Sequence, residues 1–477
     1  MKNRLEKHLT GPGGINQMLA IALPMVISNA CDTAMIFTDR LFLSRVGPQY
    51  MSAAMGGGLT CFTMTTFFIG LTGYCTALAA QYFGAGRKSV CPLVITQGLI
   101  LSGIAWPIIL AARPLALWLF QVTGIPPEQL GPQVDYFSIL LWGVPLSLFR
   151  NCLGCFFSGI GKTRTVMVSA LTSTVVNIVS NYVLIFGKWG FSPLGIRGAA
   201  YGTLLGSACG LLVLILVYLS KKQQREYDIL RSFRFDGFLM KKLIRYGSPP
   251  GVEFFLNQLA FNLLILIFHA CGSTIAAAIT IVYNWDAASF IPLIGVHIAV
   301  TSLVGRYMGA RLPDTADRAA YSGLKLALLY SFCTMIIFAV FPHPLVQVFR
   351  PPAADAIFAQ AFPEAVFMLR LAALYVMADA IMLVFSGALR GAGDTFWAMC
   401  VSVSMHWILV GGQILLLRVF KLPARITWLY LCLILLLSSG IFYLRYRSGK
   451  WRSFRIIEEE PEPIPPLTDG LHETKDL

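Results

Sequence analysis

Apolar residues fill most of the chain in blocks of roughly 20, separated by short polar segments. A helix rising ~1.5 Å per residue needs about 20 residues to cross a ~30 Å hydrocarbon layer, so each block predicts a membrane-crossing helix. Twelve spans are predicted, near 15–43, 52–76, 91–112, 133–157, 166–187, 197–219, 247–269, 275–304, 322–342, 364–387, 397–417 and 426–445. Lipid cannot satisfy open backbone, so these spans pack helix on helix. The expected fold class is an all-α polytopic membrane protein.

The pattern repeats. Thr76-Ala-Leu-Ala-Ala-Gln-Tyr-Phe-Gly-Ala85 resembles Thr301-Ser-Leu-Val-Gly-Arg-Tyr-Met-Gly-Ala310, 225 positions later, and the same offset carries Pro24 to Pro249. Gly159-Ile-Gly161-Lys-Thr163 matches Gly391-Ala-Gly393-Asp-Thr395 at an offset of 232, with Met167 matching Met399, as a seven-residue insertion would produce. Six spans separate equivalent points, so the two halves share one polarity. Two pseudo-symmetric six-helix lobes about an axis along the membrane normal are expected, a plan found in transporters. The segments are a short N-terminal stretch (1–14), a first lobe (15–219), a linker (220–246), a second lobe (247–445) and a tail (446–477).

Composition agrees: 56% of the 477 residues are hydrophobic and 13% charged, and mean hydropathy is +0.69. A soluble protein carries about 25% charged residues. The net charge of +14 is not read as nucleic-acid binding, because the basic residues gather in alternate loops. Lys2, Arg4 and Lys7, then Arg87 and Lys88, Lys162 and Arg164, the dense run Lys221–Arg245, and Arg445–Arg455 fall on one side. That side is expected to be cytoplasmic, with both termini there, in the cytoplasmic (inner) membrane; Arg418, Lys421 and Arg425 are a local exception. No cleavable signal peptide is evident. The acidic, Pro-rich end after Arg455 is expected to be disordered. Most of the eleven cysteines lie in apolar blocks and read as packing residues, Cys152 and Cys155 included. Ser158–Thr163 imitates the end of a phosphate loop, but Phe156 stands where the first glycine belongs and no strand precedes it. Energy is therefore expected from an ion gradient.

Ionisable groups inside membrane helices are costly and mark function. Asp32 and Asp39 lie two turns apart in the first span and should face nearly the same way. Asn177 and Asn181 share a face of the fifth span, as either a polar interior or inter-helix hydrogen bonding would require. The second half offers Glu253 and Asn257 in the seventh span, Asp286 in the eighth, and Tyr375 and Asp379 on one face of the tenth. If these acids converge, they make an oxygen-rich site for protons or a hard cation, with transient Na⁺ at Glu253 and Asp379. The alternative is that one or two pair with Arg370 or lie at the interface. His269, His297 and His406 show no metal-ligand spacing, so no structural metal is expected. Gly198, Gly202, Gly206 and Gly210 recur every fourth residue as a smooth stripe for close helix packing.

Four segments carry a family resemblance: Thr38-Asp39 with Gly47 eight residues on, Asn177-x-x-x-Asn181-Tyr-x-Leu-Ile-Phe-Gly187, Leu194-Gly-Ile-Arg-Gly-Ala-Ala200, and Gly387-Ala-Leu-Arg-Gly-Ala-Gly-Asp-Thr395. In this order, with twelve spans and the repeat, the chain resembles the multidrug and toxic compound extrusion (MATE) family over about residues 14–445. The resemblance implies a V of two six-helix lobes, alternating access, and export of organic cations in exchange for Na⁺ or H⁺. Asp39 matches the family's first-helix acid, tied to proton and drug coupling. Asp379 matches its tenth-helix acid, tied to cation binding. Asn257 stands where the seventh-helix acid is common, with Glu253 one turn earlier. The fifth helix has Asn at both positions where proton-coupled members can carry Asn then Asp. The fuller set of second-lobe acids leans the expectation towards sodium.

The expected protein is thus a monomeric antiporter for small organic cations among membrane lipids, without a cofactor beyond the coupling ion. One rival is a lipid-linked oligosaccharide flippase, which needs a basic cavity, whereas the mid-span charges here read as mostly acidic. An integral membrane enzyme would need clustered His or acid motifs at a membrane face, and a channel fits acids buried in each lobe less well than alternating access does.

Overall fold

The computed structural model describes residues 10–123, 125–350 and 356–457. Twelve helices are long and apolar enough to cross a membrane: α1 (Ile15–Val46), α2 (Gln49–Gly84), α3 (Val90–Val122), α4 (Pro127–Gly159), α5 (Thr163–Phe186), α6 (Ile196–Tyr218), α7 (Gly237–His269), α8 (Ser273–Gly309), α9 (Pro313–Val340), α10 (Ala356–Ala392), α11 (Thr395–Val419) and α12 (Ala424–Arg447). No strand occurs among the described residues. The fold is an all-helical, V-shaped pair of lobes.

In the first lobe α5 packs on α1 and α6, and α4 on α2 and α6; in the second, α10 packs on α8, α9 and α12, and α7 on α11. The α5–α6 contact depends on the glycine stripe. A Cβ on Gly206 would sit 2.7 Å from the Ser173 carbonyl oxygen, and one on Gly198 would sit 2.7 Å from that of Leu184. Backbones this close leave no room for side chains, so the stripe brings the polar residues of α5 against α6.

The lobes meet along α1–α8 and α2–α7, and the last turns of α2 pack on α8. The repeated motifs clasp each other at this end. A Cβ on Gly84 would overlap the Arg306 carbonyl oxygen, and one on Gly309 would overlap that of Gln81, a reciprocal pair at the 225-residue offset. Gln81 Nε2 donates to the Gly391 carbonyl (2.7 Å), and Ser302 Oγ donates to that of Ser158 (2.7 Å). The Lys- and Arg-rich turns lie at the same end. Phe37, towards the far end of α1, is 66% exposed.

Two segments differ from expectation. The stretch 220–246, expected as the inter-lobe linker, carries a helix at Lys221–Tyr227, a 3-10 turn at Ile229–Ser232, and the first turns of α7. α7 starts at Gly237 because Asp236 caps it, accepting from the amides of Phe238 and Leu239 at 3.0 Å each. The expected boundary at 247 falls inside this helix, since hydropathy reports only its apolar part. The tail is also packed as far as it is described. Trp451 is buried and stacks on Tyr446 with ring centroids 5.0 Å apart. Ile456, 5% exposed, joins the first-lobe core beside Tyr74 and Phe156, so the chain leaving α12 crosses from one lobe to the other. The acidic segment 458–477 lies outside the described residues, as do residues 1–9.

Candidate functional site

Three polar centres lie within the helices. The first is built on Asp39, 6% exposed. Asn181 Nδ2 donates a short hydrogen bond to Asp39 Oδ1, and Thr203 Oγ1 donates to Oδ2 at 3.0 Å. Asn177 closes the group: its Oδ1 accepts from Asn181 Nδ2 (3.3 Å) and its Nδ2 donates to Thr203 Oγ1 (3.3 Å). Three helices, α1, α5 and α6, thus supply hydrogen bonds around one buried carboxylate. Thr203 was missed by the sequence reading, although it follows Gly202 in the stripe. A Cβ at Gly202 would overlap Asn181 Oδ1, so the stripe shapes this centre as well as the packing.

Asp32 is not part of that group. Seven residues put it about 10 Å further along α1, level with different neighbours. There it pairs with Arg150 of α4, Oδ1 to Nη2 at 2.6 Å.

The second centre joins α8 and α10. Asp379, on α10, is 8% exposed, and half-buried Asp286 is on α8, which packs along α10. Tyr375 lies one turn before Asp379 on α10. An aromatic wall surrounds them: Tyr283 and Tyr375 both stand against the buried Trp428, with centroids 6.0 and 6.5 Å away. Neither acid forms an ion pair among the described residues.

Glu253 and Asn257 do not join this centre. Glu253, 5% exposed, pairs with Arg390, Oε1 to Nη2 at 2.8 Å. Arg390 lies eleven residues beyond Asp379, about 16 Å along α10. Asn257 donates to Ser402 of α11 at 2.8 Å. The acids of the second half therefore separate into a pair, Asp286 and Asp379, and a salt-bridged glutamate. Transient Na⁺ shared by Glu253 and Asp379 has no geometric basis. Arg370, the suggested alternative partner, is not the cation at Glu253.

The third centre is the cavity where the lobes meet, about 290 Å³, with both Arg150 and Arg390 in its wall. Asp32, Asn29, Tyr74, Phe254 and His297 also line it. The two arginines went unweighed in the sequence. Arg150 had a signal, a lone cation inside an apolar block; Arg390 was hidden within the Gly387–Thr395 motif. At the seam Asp32 and Glu253 are matched by Arg150 and Arg390, while Asp39, Asp286 and Asp379 form no ion pair among the described residues.

Lys162 of the imitation phosphate loop bonds Glu226 (3.0 Å) and Gln223 (3.2 Å). Among the described residues no three His, Cys, Asp or Glu are grouped to hold a metal, and the eleven cysteines are unpaired.

The MatE family profile matches residues 24–183 and 249–410, one block in each lobe. The chain belongs to the multidrug and toxic compound extrusion family. It is accordingly a multi-pass membrane transporter, not an enzyme. The chain is 27% identical over 401 residues to the multidrug resistance protein PmpM of Pseudomonas aeruginosa, covering 82% of each chain. It is 28% identical over 398 residues to the probable multidrug resistance protein NorM of Shewanella oneidensis, covering 82% of this chain and 84% of that one. Among solved structures, an outward-facing multidrug resistance MATE transporter of the MOP superfamily superposes with a TM-score of 0.83 at 21% identity, over 92% of this chain and 97% of that one. A MOP superfamily transporter of Pyrococcus furiosus, described as having a binding pocket of reversed polarity, gives 0.84 at 20% identity, over 94% and 98%. At these identities the two structures establish the fold.

Proposed function

We propose that this family member exports amphipathic organic cations across the cytoplasmic membrane in exchange for Na⁺, as a monomer with both termini in the cytoplasm. The observation that carries this reading is the Asp286–Asp379 pair: two carboxylates on the packed helices α8 and α10, each about one turn beyond a tyrosine that stands against Trp428, without a cationic partner among the described residues. Unpaired carboxylates in a low-dielectric wall are stabilised by a bound cation. Two carboxylates and the Tyr375 hydroxyl supply oxygen ligands of the kind a hard cation takes. The multidrug resistance names of the relatives support drug-like substrates.

Coupling needs only that ion and drug favour different lobe arrangements. The reciprocal clasp of Gly84 and Gly309 holds the lobes together at the basic end. Na⁺ entering the second lobe from the opposite side would stabilise one arrangement, and loss of the drug would follow. Asp39 with its three hydrogen-bonding partners is the alternative ion site, and it would take a proton rather than Na⁺.

The test is efflux of a fluorescent cation from proteoliposomes under Na⁺ and H⁺ gradients imposed separately. Na⁺-driven efflux, abolished by Asp379→Asn in protein that remains folded, is expected. Efflux driven by H⁺ alone and lost in Asp39→Asn would move coupling to the first lobe. Unchanged efflux by Asp379→Asn would remove its role, and no efflux under either gradient would favour the lipid-linked flippase.

A further inference from the structure

The chain that leaves α12 is held by both lobes. Gly449, at a φ of +70°, turns it away from the helix, and a 3-10 turn at Lys450–Ser453 follows. Trp451 fixes this turn to the second lobe. Its Nε1 donates to the Tyr446 carbonyl at 2.9 Å, and its buried ring stacks on that of Tyr446. Arg452 pairs with two acids of α9, Asp314 at 2.8 Å and Asp317 at 3.4 Å. These pairs are partly exposed and add little, so the buried indole is the anchor.

The far end of this strap is held differently. Ile456 is buried in the apolar core of the first lobe with Tyr74, Ile160 and Tyr227, and half-buried Ile457 packs against the same core. The Ile456 side chain also fills the space beside Gly393 of the second lobe. A Cβ on Gly393 would lie 2.8 Å from Ile456 Cγ1 and closer still to Cδ1, and the Tyr74 hydroxyl is 3.8 Å from the same point. One isoleucine is thus wedged between a first-lobe tyrosine and a second-lobe turn. Phe454 and its neighbours as far as Ile457 also wall a cavity of about 360 Å³ whose other sides hold both clasp glycines, Gly84 and Gly309.

The two attachments are unequal. The second-lobe end continues α12 and is pinned by an indole with a hydrogen bond. The first-lobe end rests on two isoleucine side chains, and apolar burial has no directional bond to break. If the clasp opens, the strap moves with the lobe to which Trp451 fixes it, and Ile456 must leave the first-lobe core. Burying one isoleucine side chain shifts an equilibrium roughly 10- to 100-fold.

We propose that residues 449–457 form a latch that biases the transporter towards the arrangement closed at its basic end, with Trp451 as the fixed point and Ile456 as the plug that withdraws. The latch acts on the balance between lobe arrangements and is independent of which ion or substrate is carried.

Hydrogen–deuterium exchange of the full-length protein in nanodiscs tests it, because amide exchange reads local opening. The amides of 82–87 and 307–312 report on the clasp, and those of α5 serve as the reference. Ile456→Ala is expected to speed exchange in both clasp segments about tenfold and to leave α5 unchanged. A chain ended at Ser453 should show at least the same gain, and a chain ended at Ile457 should exchange like the full-length protein. Unchanged clasp exchange in both Ile456→Ala and the chain ended at Ser453 would overturn the latch. So would a gain spread equally over α5, which would mean general loosening. An equal gain in the chain ended at Ile457 would also overturn it, because the restraint would then lie beyond the strap.

Discussion

Gly84 lies against the carbonyl of Arg306 so closely that any side chain would collide with it, and its repeat counterpart Gly309 stands in the same relation to Gln81. The contact joins the two lobes at the end where they are shut. A transporter that alternates must break and remake it. Gly84→Leu and Gly309→Leu are each expected to hold this end apart and to reduce dye efflux at least tenfold, with similar severity for both because the pair is reciprocal. Efflux and yield of folded protein after purification would be compared. Full activity of either variant would show that the clasp is not remade during transport.

The Asp39 centre makes a separate prediction. A hydrogen bond to a buried charge contributes about 1.5–3 kcal/mol, or roughly 10- to 100-fold in an equilibrium. Asn181→Leu removes the donor to Oδ1 and is expected to lower transport by a factor in that range. Thr203→Val removes the donor to Oδ2 with little change of shape and should give a smaller loss in the same direction. Transport rate against drug concentration would show it. Loss of stability without loss of rate per folded molecule would reduce the network to packing.

Gly202→Ala tests how far that centre depends on the stripe. Its Cβ would overlap Asn181 Oδ1, so Asn181 must turn away or α6 must move. Overpacking of this kind costs about 1–3 kcal/mol. A lower melting temperature in detergent together with a loss of transport like that of Asn181→Leu is expected. Gly190→Ala, in a loop with open space around it, controls for a general effect of adding a methyl group, although its backbone φ of +88° adds strain of its own.

The sequence showed the membrane spans and the repeat well because both are one-dimensional: apolar blocks of fixed length, and motifs at fixed offset. Asp39 with Asn177 and Asn181 was legible for the same reason, through helical spacing on each side of one contact. The contact itself was not, since it is set by glycines whose effect is to let a neighbour approach. Glu253 was misplaced because its partner, Arg390, is 137 positions away and only the folded α7–α10 geometry brings them together. Asp32 and Asp39 do share a helix face, yet periodicity says nothing of what stands opposite each level. The start of α7 at Gly237 and the docking of Trp451 and Ile456 escaped notice because charged flanks mask their local structure.

The Lys221–Tyr227 helix provides a prediction in pH. Glu226 receives Lys162 Nζ at 3.0 Å and Lys88 Nζ at 3.3 Å, which fastens this helix to two turns of the first lobe. The Lys162 hydrogen bond, more than the opposing desolvation, holds the Glu226 carboxyl below its ordinary value of 4.5. A carboxylate lowered on folding adds stability that is present above its unfolded value and is lost as pH falls through the folded one. Solvent reaches all three side chains, so the contribution is at most about 1 kcal/mol. Glu226→Gln should therefore melt slightly earlier than the unaltered protein at neutral pH, with the gap closing between about pH 5 and pH 3. Salt should narrow the gap at neutral pH, because exposed pairs are screened. Melting curves in detergent across that range would check both trends. A gap independent of pH and of salt would mean that Glu226 holds the helix by packing rather than by charge.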